Sequence, residues 1–142
     1  MSAHDNAQLV RELYEAFNKG DLAKAIALAA EDMEVEFVPF GQTFHGRQGF
    51  NDFIGGFKRA FPDLIVTVTN QVATENQVVN ECTWRGTNTG PLVTPAGEIP
   101  PTNRKVEGGR FCEVYEIKNG KLAADRNYQD VASWLRQLGL VP

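Results

Sequence analysis

Residues 106–128 read VEGGRFCEVYEIKNGKLAADRNY. Two runs, Val106 to Ile117 and Leu122 to Tyr128, read as strands, and Asn119-Gly120 stands between them. An Asn-Gly pair supplies the positive-φ positions of a tight turn, so this stretch predicts a long antiparallel hairpin. On its first strand Phe111, Tyr115 and Ile117 share one face with Glu113. A carboxylate on an apolar face is costly unless it is paired, hydrogen-bonded or protonated. Burial there would raise its pKa into the range of a general acid or base.

Further strands precede the hairpin: Leu64 to Thr69, Val78 to Arg85, and Met33 to Phe37, where apolar residues alternate with Glu34 and Glu36. Between these lie helices. Leu9, Val10, Leu13, Tyr14 and Phe17 recur at helical spacing over residues 6–18, with Asp5 as the expected N-cap and Lys19-Gly20 as the stop. Asp21 caps a second short helix, which must pack on the first as a hairpin. A third helix, from Arg47 to Phe61, carries Phe50, Phe53, Ile54, Phe57 and Phe61 on one stripe and ends at Pro62. Gly55-Gly56 in its middle costs up to about 1 kcal/mol each in helix propensity, which points to a bend or a close approach. Thr87 to Asn103 is expected to arch over one end of the sheet, and Val131 to Leu138 forms a last helix before Gly139.

Helices segregated to one face of an antiparallel sheet define an α+β fold. A Phe-rich helix lying across a strongly twisted sheet leaves a conical space, and that space is where a small apolar ligand would sit. Phe17, Phe53, Phe57 and Phe111 are the expected lining. The chain of 142 residues is one domain's worth. It is 42% hydrophobic and 23% charged, with a net charge of −4 and no basic stripe, which argues against nucleic-acid binding. Cys82 and Cys112 lie inside apolar runs and read as small buried hydrophobes, a cross-strand disulfide being the less favoured alternative. No leader pattern opens the chain and no apolar run reaches membrane-spanning length, so a cytoplasmic protein off the membrane is expected.

The register of the hairpin decides what Glu113 meets. A two-residue turn sets Lys118 opposite Lys121 and Glu113 opposite Arg126, a structural ion pair. A three-residue loop with a glycine bulge shifts the register by one and sets Glu113 opposite Asp125, with Asn127 diagonal to it. Two carboxyls that close share a proton near neutral pH. Leu122 beside Ile117 favours the first register.

The segments FHGRQGFNDFIGGFKRAFPDLIVTV (44–68), WRGTNTG (84–90), FCEVYEIKNGKLAADRNYQD (111–130) and WLRQLGL (134–140) together resemble the SnoaL-like polyketide cyclases and their ester-cyclase-like relatives. These belong to the nuclear transport factor two-like, cone-shaped superfamily. The resemblance implies a curved sheet wrapped around helices as a conical barrel. It also implies a polyketide-like substrate and ring closure by an intramolecular aldol step without a cofactor. A carboxylate with a nearby His manages the proton in such cyclases. Where the family often reads HWD after the hairpin, this chain has Asp125-Arg126-Asn127. Where it often reads GTHTG, this chain has Gly86-Thr87-Asn88-Thr89-Gly90, so both histidines are absent. The family's placement of polar residues favours the register that brings Asp125 to Glu113.

The candidate catalytic residues are therefore Glu113, Asp125 and His45, the last set in Phe44-His45-Gly46 as a proton shuttle or a local cap. Asn127, Asn88, Trp84, Tyr128, Phe57 and Phe111 are the candidate substrate contacts. No His or Cys spacing suits a metal. Isomerase and hydrolase chemistry fit the same residues. Rival readings are a non-catalytic binding protein on the same scaffold and a dimerisation module. A homodimer is expected through an outer sheet face bearing Cys112 and Val114.

Overall fold

A computed structural model describes residues 2–142. Helix α1 (Ala3–Lys19) starts earlier than the apolar periodicity suggests. Ser2 is its N-cap, and Asp5, the expected cap, instead sits one turn in and closes a reciprocal capping box with Ser2. Gly20, at φ 77°, ends the helix, and α2 (Leu22–Ala27) follows from its Asp21 cap. Strand β1 (Ala29–Phe37) leads through a 3₁₀ turn to β2 (Gln42–His45) and then α3 (Gly46–Ala60). Strands β3 (Ile65–Ala73) and β4 (Gln77–Thr87) come next. The arch expected over residues 87–103 contains a small hairpin of β5 (Leu92–Thr94) and β6 (Gly97–Ile99). The long hairpin is β7 (Lys105–Lys118) and β8 (Lys121–Gln129), and α4 (Val131–Gln137) ends the fold. Asn119 and Gly120 both take positive φ, 51° and 71°, as a two-residue turn requires.

The main sheet runs β2-β1-β8-β7-β4-β3. It is mixed rather than purely antiparallel, because β1 lies parallel to β8. Sequence periodicity reports which face a strand buries but is silent on a neighbour some ninety positions away. The sheet is also curved but not closed: β2 and β3 are free edges, so the expected barrel is an open cone. α1 and α3 cover its concave face. Val10, Met33, Phe50, Phe61 and Trp134 are fully excluded from solvent there. Each such side chain contributes about 2 kcal/mol from burial. Cys82 faces in, whereas Cys112, opposite Glu81, faces out and is half-buried; both thiols are free, which corrects the paired alternative and the burial expected of Cys112.

Candidate functional site

The β7–β8 hairpin sets the site, and its register is neither of the two anticipated. The turn pairs Lys118 with Lys121 and Ile117 with Leu122, as a two-residue turn must. One extra residue, Ala123, then bulges out of β8, so that Glu116 meets Ala124, Tyr115 meets Asp125 and Glu113 meets Asn127. The bulge turns Asp125 and Asn127 inward on the face of Glu113, with Asp125 diagonal to it. Arg126 points outward, where its Nη1 donates to Glu116 Oε2 at 2.9 Å. The Glu113–Arg126 ion pair does not form.

Glu113, Asp125 and Asn127 are respectively 5%, 1% and 3% exposed, deep enough that each must find partners inside the protein. The Tyr14 hydroxyl, brought down by α1, donates to Glu113 Oε1 at 2.9 Å. No N–H or hydroxyl reaches either oxygen of Asp125. The group that acts on it most strongly is the Glu113 carboxyl, and a hydrogen bond between two carboxyls requires a proton held between them. Burial first, then the charge of Glu113 and that hydrogen bond, raise the Asp125 pKa well above the usual carboxylate range, with Arg126 opposing weakly. Burial likewise holds the Tyr14 and Tyr115 phenols protonated far above their ordinary range, helped by the charges of Glu113 and Asp125. The Cys82 thiol beside them is pushed up to about 12 by burial and by Glu113, so it is inert as a nucleophile near neutral pH.

Glu113 and Asn127 open onto an apolar chamber walled by Phe17, Phe53, Phe57, Trp84 and Phe111. Its free volume is about 50 Å³. That is room for about four water molecules. Asp125 does not line the chamber and touches it only through Glu113. Two polar atoms on the wall lack partners, Trp84 Nε1 and Asn127 Oδ1. Trp84 packs over Gly109, where any Cβ would overlap its indole ring, so a side chain at 109 would displace the ring.

Three of the anticipated site residues lie elsewhere. His45 ends the edge strand β2, with its side chain 70% exposed and its Nδ1 3.0 Å from Glu34 Oε1. Asn88 is fully buried but spends its side chain on the arch: it donates to the carbonyls of Ala60 and Gly90 and accepts from the Thr102 amide and hydroxyl. Tyr128 stands on the outer face opposite Cys112, 44% exposed. Sequence reasoning missed Tyr14 as the partner of Glu113. The available signal was a phenol within the apolar stripe of α1, whose hydroxyl needs a partner when buried. Among the described residues no group of three or more His, Cys, Asp or Glu is placed to hold a metal ion.

Helices laid over one face of an open, curved sheet, with a buried carboxyl pair of which Glu113 faces an apolar chamber, define a class of α+β pocket proteins. Residues 7–138 match the model of the SnoaL-like polyketide cyclases, and the chain belongs to that family. Among solved structures it is similar to IdmH of Streptomyces antibioticus, a candidate polyketide cyclase, at 29% identity over 93% of this chain and 96% of that one, with a TM-score of 0.74. It is similar also to AclR of Streptomyces galilaeus, a candidate hydroxylase, at 23% identity and TM-score 0.82 over 100% and 89% of the two chains. A candidate SnoaL-like cyclase of Jannaschia sp. CCS1 shares the fold at 18% identity and TM-score 0.85, over 99% and 95%. No functionally curated protein matches the chain.

Proposed function

We propose that this protein catalyses proton transfer at a carbon adjacent to a carbonyl in a small, largely apolar molecule, with ring closure by an intramolecular aldol step as the net reaction. The observation that carries the proposal is the Asp125 carboxyl buried without an N–H or hydroxyl partner against Glu113, which itself faces the chamber. Glu113 is the catalytic base. It takes the proton from the α-carbon, and the electron pair left behind moves onto the carbonyl oxygen. The Trp84 indole N–H, buried without a partner, stands ready to hydrogen-bond that oxygen as its charge develops. The nucleophilic carbon attacks a second carbonyl, a carbon–carbon bond forms, and the resulting alkoxide recovers the proton from Glu113. Tyr14 and Asp125 are positioning residues: one donates to Glu113, the other holds a proton against it. The reaction is an isomerisation, so no atom or electron enters or leaves.

Deuterium exchange into the α-carbon of 2-tetralone in D₂O tests the proposal. Wild type should accelerate exchange over buffer, and Glu113→Gln should lose at least about 100-fold, as expected for removal of a general base. Exchange no faster than buffer, or unchanged in the variant, sinks it. A non-catalytic carrier on the same scaffold is the second reading, favoured by the absence of both family histidines at 86–90 and 125–127; it predicts binding of the ketone without exchange.

The outer sheet face supports a further proposal, that two copies of the chain pair through it. Val72, Val79 and Val114 lie in register across β3, β4 and β7, beside Cys112, and Val72 is 56% exposed. Sedimentation at high micromolar concentration should give twice the 15.7 kDa chain mass. A monomer there overturns the pairing.

A further inference from the structure

The chamber beside Glu113 is too small for a drug-sized ligand, whose sites run to about 300–1,000 Å³. A second cavity of about 410 Å³ lies on the far side of α3. It is an open groove between α3, the Phe37–Phe44 segment, the β5–β6 hairpin and α4. Phe53 and Phe57 line both spaces. These two rings pack edge to face, 5.6 Å between centroids at 90°, with Phe37 against each at 5.7 Å. Phe57 is half-buried and stands on the wall between the two spaces. If it swings aside, chamber and groove join into one site of the size a ligand of several rings requires.

The groove has a shape that local preference does not explain. Asp52, Gly56 and Arg59 fall on one face of α3, and a Cβ built at Gly56 meets nothing within 4 Å. Glycine in a helix interior costs about 1 kcal/mol against alanine, and at Gly56 no close packing demands it. What its missing side chain does is leave the groove open. The groove wall is aromatic, with Phe40, Phe44 and Trp134 beyond the shared pair. Both charges on its rim already have partners: Arg59 reaches Glu98 at 3.3 Å, and Gln48 donates to Asp52 at 2.8 Å. An uncharged occupant therefore fits better than an ionic one.

We infer that the groove is the distal half of the substrate site, that it takes the fused-ring body of an uncharged, planar molecule, and that Phe57 is the door between it and Glu113. The inference rests on the functional reading above, because that reading supplies the near end of the site. Phenol and 2-naphthol test it, titrated by calorimetry into wild type and Gly56→Leu. The second ring should tighten binding to wild type about tenfold. Gly56→Leu should abolish that gain, leave phenol affinity unchanged, and keep or raise the melting temperature, since it adds helix propensity and meets open space. Gly56→Ala, a smaller intrusion, should show a partial loss and serves if the leucine variant misfolds. Equal affinities of the two probes for wild type, or a gain that survives in both variants, overturns the inference. Failure of deuterium exchange with the ring-size gain intact would remove the acid/base reading and leave the groove; the reverse pattern would do the opposite.

Discussion

Replacing Asp125 with asparagine keeps the side-chain shape and an N–H that can donate to Glu113, while removing the ability to ionise. In the folded wild type the Asp125 pKa lies well above its unfolded value of about 3.9. Above that value the unfolded chain releases the proton and the folded chain keeps it, so rising pH favours unfolding. The stability contributed by the protonated carboxyl is complete below the unfolded pKa and is lost as pH climbs through the folded one. Within that window wild type should lose up to about 1.4 kcal/mol per pH unit relative to Asp125→Asn. At a urea m-value of about 2 kcal/mol/M, the gap between the two midpoints should move by about 0.7 M per unit. Urea melts of both proteins from pH 4 to pH 8 supply the comparison, and carboxylates common to both cancel. A gap that is flat with pH, or that moves in favour of wild type as pH rises, would refute the reasoning.

Three further substitutions separate the site from the residues that lie outside it. Tyr14→Phe deletes the hydroxyl that donates to Glu113 and should destabilise by about 1–3 kcal/mol at pH 7, read in the same urea melts. Asn88→Ala breaks four hydrogen bonds of the arch and should cost about 2–4 kcal/mol, while leaving affinity for phenol intact in the fraction that remains folded. His45→Ala removes only an exposed contact with Glu34, so stability should change by less than about 0.5 kcal/mol and exchange on 2-tetralone should persist.

How much of this could be read from the residues alone follows from the range of each interaction. The stripes of α1 and α3 and the Asn119-Gly120 turn are local, and they were legible. So was the conflict at Glu113, a carboxylate on an apolar face. The pairing of β1 with β8 is a long-range choice made by packing, and no pattern within either strand announces a parallel neighbour. The bulge at Ala123 is subtler. Nothing in Lys121-Leu122-Ala123-Ala124 marks one residue as surplus, yet that residue turns Asp125 inward and Arg126 outward. Both anticipated registers assumed that any shift would arise in the turn, whereas the shift arises within β8. His45, Asn88 and Tyr128 were candidates by residue type and neighbourhood. Their exposure or their local partners, which only the fold decides, separate them from the chamber.

The central claim is that Asp125 holds a proton because it is buried against Glu113, and the carboxyl carbons report on this most directly. A carbon-detected NMR titration of protein labelled at the aspartate side-chain carboxyls, with Asp125 identified by the signal missing from Asp125→Asn, follows its ionisation alone. The account predicts that this signal stays in its protonated position after the other aspartates have ionised, and that Glu113→Gln brings its titration to lower pH by removing the adjacent charge. An Asp125 carbon that ionises together with the other aspartates, or one indifferent to Glu113→Gln, would contradict it.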